Sequence, residues 1–143
     1  MIGIDTTFLV HLEITEMPEH ARARELLQRE VIDAETKVAL VPQVLAEFLH
    51  VVTDARRFQF PLPMEDAITK ARFWWNAQEV THVYPTADST ALMLEWLSRH
   101  KLGRKRILDT QLAATLWSAG VRRIFTTNAR DFAIFEDFEV VSP

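Results

Sequence analysis

The sequence has no cysteine, which excludes a disulfide framework, a thiolate metal site and a thiol nucleophile. Glycine is scarce, with only Gly3, Gly103 and Gly120 among 143 residues, and no Gly-, Ser- or Pro-rich stretch marks a linker or an internal repeat. No apolar run approaches the ~18 residues of a membrane-spanning helix. The start also lacks the basic stretch and apolar segment of a secretion signal, so a cytoplasmic protein is expected. Basic charge is not in excess: 16 Lys and Arg against 20 Asp and Glu give a net charge of −4. A polyanionic partner must therefore be met by a local basic patch rather than by the global field. What is present is ordinary globular composition, 48% hydrophobic and 25% charged, in a length that suits one domain over residues 1–143.

Apolar bursts too short for helices occur at Met1 to Ile4, Val38 to Val41, His82 to Tyr84, Arg123 to Thr126 and Phe138 to Val141. These read as five strands. Helical patterns lie between them: Pro18 to Ile32, Gln43 to Arg57, Pro63 to Ala77, Thr86 to His100 and Asp109 to Ala119. Thr86 suits an N-cap and Gly120 a C′ position. Strands alternating with helices predict a three-layer α/β domain around a mostly parallel five-stranded sheet. Ligands of such sheets bind beyond the carboxyl ends of the strands, where the strand order reverses.

Acidic residues fall at those places. Asp5 directly follows the first strand, where a charge is expensive unless paired or metal-bound; it also suits the N-cap of a short following helix. Glu47 is flanked by apolar residues in Val44-Leu45-Ala46-Glu47-Phe48-Leu49, and a solvated helix face would accommodate it. Asp109 opens a helix whose N-terminus favours a carboxylate. The last acidic segment, Thr127-Asn128-Ala129-Arg130-Asp131-Phe132, is a polar turn after a strand, for which local Asx-turn bonding is the simplest account.

Taken together, Asp5-Thr6 with Phe8-Leu9, Ala46-Glu47, Asp109 with Leu112-Ala113-Ala114-Thr115, and Thr127-Asn128 with Asp131-Phe132 resemble the motifs of the PIN-domain ribonucleases. At this size the chain is most similar to the VapC-type toxins of toxin–antitoxin pairs. The resemblance implies an acidic pocket of Asp5, Glu47 and Asp109 that binds Mg²⁺ or Mn²⁺ and cuts RNA, with a homodimer and a small antitoxin as protein partners. It also implies supporting roles for Asn128, Asp131, Thr6 and Thr127. Set against the family's T-x-D-x-D-F, Ala129 stands where an acid is expected, so Asn128 or Asp131 takes the fourth position. The chemistry suits the residues: phosphodiester hydrolysis adds water to an anionic phosphorus, and hard oxygen ligands hold the divalent cations that neutralise the charge. Three clustered carboxylates also repel one another, which raises the pKa of at least one.

Arg99, His100, Lys101, Arg104, Lys105 and Arg106 form the one dense basic run. Arg104, Lys105 and Arg106 are the candidates for holding RNA phosphates; a solvated helix end is the alternative. Phe73-Trp74-Trp75 places three rings at ~100° intervals, too wide for one buried stripe, which points to a dimer or antitoxin contact. Trp96 and Trp117 read as core. Five histidines without H-x-H or H-E-x-x-H spacing leave a zinc hydrolase no ligand set. The competing functional class is a PIN-fold RNA-binding or protein-interaction module whose nuclease activity is weakened by the altered fourth acidic position.

Overall fold

The computed structural model describes residues 1–135 and 137–143. Five three-residue strands, β1 (Ile2–Ile4), β2 (Val38–Leu40), β3 (Val80–His82), β4 (Arg123–Phe125) and β5 (Glu139–Val141), form one parallel sheet in the order β3-β2-β1-β4-β5. The central strands β1 and β2 are buried along their whole length, whereas β3 and β5 lie at the edges and are part exposed. This explains the one displaced strand. The apolar burst at His82 to Tyr84 owes its signal to Val83, which is buried just beyond β3, while the edge strand itself runs from Val80 to His82.

Seven α-helices lie among the described residues: α1 (Thr6–Glu13), α2 (His20–Leu27), α3 (Pro42–Val52), α4 (Met64–Asn76), α5 (Ala87–Arg99), α6 (Ile107–Ser118) and α7 (Ala129–Ala133). Helices α1 and α7 are the two the apolar pattern did not mark: α1 buries Phe8, Leu9 and Val10 in succession rather than along one stripe, and α7 is a five-residue turn of helix in the polar segment after β4. Pro18 does not open α2, which starts at His20 and runs on through a single π-helical turn, Gln28–Ile32. Pro42 occupies the first turn of α3, where its missing N–H is harmless. Thr86 caps α5 in a reciprocal box with Ser89. Gly120, at φ +82°, ends α6 in the left-handed conformation that glycine adopts without penalty.

Helix α1 packs against both α2 and α3, and α3 against α4, while α6 packs against α5 and α7 in a second group. The buried side chains make one continuous cluster. Gly3 sits where β1 meets α6: a Cβ there would lie 2.5 Å from Leu116 Cδ1, a fully buried side chain. Close contact of sheet and helix at this point therefore needs glycine. Of the three consecutive rings on α4, Trp74 is a core residue and donates Nε1–H to Glu13 Oε1 at 2.7 Å. That removes Trp74 from any partner surface. Trp75 stacks on His82 with ring centroids 3.5 Å apart, and Phe73 alone stands in solvent, 69% exposed. Trp96 is core as expected, while Trp117 is half-buried beneath the Arg122 guanidinium.

Candidate active site

The strand order reverses at β1: the chain moves outward through β2 and β3, then returns to the other side of β1 with β4. The carboxyl ends of β1 and β4 thus flank the crevice in which ligands of open parallel sheets bind. Asp5 and Thr126 are the residues that follow those two ends.

Asp5 performs the capping role that its position suggests. Its Oδ1 accepts the Phe8 N–H at 2.8 Å at the start of α1, and its own N–H donates to Phe125 O across the sheet at 3.0 Å. The carboxylate is 4% exposed. Besides the Phe8 amide it is held by two hydroxyls: Thr7 Oγ1 donates to Oδ1 at 2.9 Å, and Thr126 Oγ1 donates to Oδ2. Burial pushes its pKa up to about 6, against the lowering effect of the Thr126, Phe8 and Thr7 hydrogen bonds, and Asp109 adds repulsion.

Glu47, on α3, is not a free surface carboxylate. Its Oε2 accepts from Thr6 Oγ1 at 2.7 Å and its Oε1 from Gln43 Nε2 at 2.9 Å. The same Gln43 amide donates to Leu108 O at 2.8 Å, which ties Glu47 to the beginning of α6. There Asp109 is the third helical residue rather than the first, since a 3₁₀ turn, Arg104–Arg106, leads into α6 at Ile107. The Asp109 carboxyl is raised above its ordinary value by burial, by Asp131 and by Glu47, and Arg106 opposes the shift. Asp5, Glu47, Asp109 and Asp131 therefore belong to one electrostatic group, although they are separated by more than a hundred residues of sequence.

Arg106 departs from its neighbours in the basic run. Arg104 and Lys105 are exposed, but Arg106 turns inward: its Nε lies 3.9 Å from Asp109 Oδ2, its Nη1 lies 3.6 Å from Asp131 Oδ1, and its Nη2 donates to the Asp131 carbonyl. Its guanidinium faces the two acids of the pocket. In the turn after β4, the hydroxyl that reaches Asp5 is that of Thr126. Thr127 donates to Thr7 Oγ1 at 2.8 Å, while the Asn128 N–H bonds back to Thr126 Oγ1 at 2.9 Å. Asn128 is exposed and Ala129 opens α7, so Asp131 is the carboxylate of this turn that couples to Asp109. Thr7, Thr126 and Gln43 were not singled out in the sequence. Only the i, i+4 spacing of Gln43 and Glu47 offered a local signal.

Among the described residues no three acidic or histidine side chains are already gathered as a metal-binding group. Asp5 and Glu47 accept hydrogen bonds from hydroxyl and amide groups, while Asp109 and Asp131 each face the Arg106 guanidinium at 3.9 and 3.6 Å. The donor set nonetheless fits a hard dication, for it is all oxygen, and its most buried member is held only by hydroxyls and one amide.

The PIN domain family model matches residues 2–137. The chain belongs to the PIN domain family. Among curated relatives of this PIN domain, ribonuclease VapC33 of Mycobacterium tuberculosis is 29% identical over 143 residues, covering 100% of this chain and 98% of that protein. Ribonuclease VapC43 of the same species is 34% identical over 87 residues, 61% of this chain and 54% of that protein. Of solved structures, M. tuberculosis VapC20, a sarcin-ricin loop cleaving toxin, superposes with a TM-score of 0.74 at 21% identity over 94% of this chain and 95% of its own. VapBC2 of Rickettsia felis, bound to a DNA fragment from its promoter, gives a TM-score of 0.67 at 17% identity over 100% and 99%. These two structures share the fold of this PIN domain, the all-parallel five-stranded sheet with flanking helices.

Proposed function

We propose that the chain is an endoribonuclease, the toxin of a toxin–antitoxin pair, which hydrolyses RNA phosphodiester bonds at the Asp5 pocket with Mg²⁺ or Mn²⁺. The observation that carries this reading is a carboxylate, Asp5, buried at the switch point of a parallel sheet and coupled to a second carboxylate, Asp109. The full-length similarity to a VapC ribonuclease supports it. Asp5, Glu47 and Asp109 would hold the metal, with Asp131 as the fourth carboxylate and Asn128 beside it. When bound, the dication supplies charge neutralisation at the scissile phosphate and at the attacking and leaving oxygens.

The remaining tasks belong to side chains of the protein. Thr7 and Thr126 fix the Asp5 carboxylate, and Thr6 and Gln43 fix Glu47, so two anionic oxygens are presented without a search over rotamers. Thr127 extends the hydroxyl line through Thr7. Arg104 and Lys105, exposed just before α6, hold backbone phosphates and confer salt-dependent affinity with little sequence information. Arg106 balances the pocket from inside.

Residues 1–143 act as one PIN-like unit. No helix among the described residues is long and apolar enough to cross a membrane, and the chain works in the cytoplasm. Its protein partners are a small antitoxin and a second copy of itself. The large side chains left in solvent, among them Phe60, Phe73, Leu94 and Leu108, supply apolar area for such contacts. The purified chain is expected to cut single-stranded RNA in the presence of Mg²⁺ and to stop when EDTA is added. RNA retained on the protein but never cut, with or without metal, would instead favour the binding-module reading.

A further inference from the structure

Beside the carboxylates lies a cleft of about 370 Å³ whose wall includes Thr6 and Thr7, the hydroxyls of which engage Glu47 and Asp5, and Thr127, the hydroxyl of which donates to Thr7. It is therefore continuous with the site. Its other surfaces are mostly apolar, including Val10, Val51 and Phe58, with His11 and Arg57 as its ionisable side chains. Arg57 is anchored through its Nε to Asp54 Oδ2 at 3.5 Å, which leaves the two terminal nitrogens for a ligand. The Nδ1 of His11 is buried with no hydrogen-bond partner, so Nε2 is the ring nitrogen left to engage solvent or a ligand. Burial holds this imidazole below its ordinary pKa, against the pull of Glu19 and with the push of His20, which keeps it neutral near pH 7.

We propose that this cleft is a subsite for one unpaired nucleobase of the RNA, the base flanking the bond cut at Asp5, and that it sets base preference beside the cut. The identity of the ligand rests on the ribonuclease reading. Size and chemistry suit a base. The volume lies at the lower end of the ~300–1,000 Å³ of small-ligand pockets. An apolar box with one aromatic ring, one guanidinium and one imidazole is what a splayed base requires: faces to stack on, and a neutral nitrogen for its edge. Phosphates need none of the apolar wall, and the exposed Arg104 and Lys105 are available for them.

The test compares AMP, GMP, CMP and UMP with ribose 5-phosphate, which has the phosphate but no base, by NMR titration of the full chain with ¹⁵N-labelled histidine. At least one nucleotide is expected to bind about tenfold more tightly than ribose 5-phosphate, with a shift at His11 Nε2. Val51→Trp, which fills the cleft, is expected to erase that difference. Equal binding of all five probes by the wild-type chain would overturn the proposal, as would a His11 shift produced by N-acetyl-phenylalaninamide but by no nucleotide. Base discrimination by a chain that cuts no RNA would overturn the ribonuclease reading and keep the cleft as a base site. Metal-dependent cleavage without base discrimination would do the reverse.

Discussion

Replacing Asp5 with Asn is expected to lower RNA cleavage by about a thousandfold or more, the scale set by removing a group that stabilises charge in the transition state, while making the metal-free protein more stable at neutral pH. The two effects have one cause. An amide keeps the shape and the cap to Phe8 but brings no charge into a site that is 4% exposed. The folded-state pKa of about 6 lies above the ordinary 3.8, so between these values the folded protein binds more protons than the unfolded chain. Stability contributed by this group therefore falls as pH rises from about 4 to 6 and stays low above it. The ionised carboxylate costs the metal-free fold about 1–3 kcal/mol at pH 7–8. Asp5→Asn should show that gain in urea unfolding at pH 7.5, and the gain should shrink as pH is lowered toward 4. The Thr126 hydroxyl, which donates to Oδ2, must rotate to accept from the amide NH₂ that takes that place, which trims the gain without reversing it. A variant that is less stable at every pH would mean that capping and hydrogen bonding outweigh burial at this position.

Arg106→Gln should act in the opposite direction. The guanidinium lies within ion-pair distance of both Asp109 and Asp131 and is bonded to the Asp131 carbonyl, so its loss leaves two repelling carboxylates without a counterion. The pocket is neither fully buried nor fully exposed, and a loss of about 1–2 kcal/mol is expected at pH 7.5. The loss should diminish on acidification, because Asp109, already raised by burial and by Asp131, takes up its proton earlier once Arg106 is gone. Saturating Mg²⁺ should restore more stability to the variant than it adds to the wild type, since an external cation replaces the internal one. Arg106→Lys should recover part of the stability, because it restores the charge but not the planar fork that reaches both acids and a carbonyl. If Arg106→Gln matches the wild type in urea midpoint at pH 7.5, the guanidinium does not balance this pocket.

These expectations depend on contacts that differ in how plainly the sequence announces them. The central strands were legible because a parallel sheet buries both faces and leaves runs such as Ile2-Gly3-Ile4 and Val38-Ala39-Leu40 without polar interruption. Edge strand β3 was misplaced by two residues because its own side chains are part exposed and the stronger apolar signal belongs to Val83. Helix α1 was hidden for another reason: Phe8, Leu9 and Val10 are consecutive and all buried, so its eight residues show no one-sided apolar stripe. Within the site, the acids were visible as charges in awkward places. The partners that tune them were not. Thr126 meets Asp5 across 121 residues and Thr6 meets Glu47 across 41, and such pairings exist only once the fold is known. Arg106 read as one of a basic run, and only the 3₁₀ turn and α6 bring it within reach of Asp109, three residues on, and of Asp131. Thr126 and Thr127 are the same residue type, and burial alone identifies Thr126 as the one facing Asp5.

The most direct measurement is a calorimetric titration of Mn²⁺ into the metal-free chain at pH 7.5, run in parallel on the wild type, Asp5→Asn and Asp109→Asn. If these carboxylates form the metal site of a ribonuclease, the wild type binds Mn²⁺ saturably and each variant weakens binding by about tenfold or more, on the scale of losing one anionic ligand near the ion. Binding of equal strength in all three proteins would contradict it and place the metal, and the chemistry with it, elsewhere on the molecule.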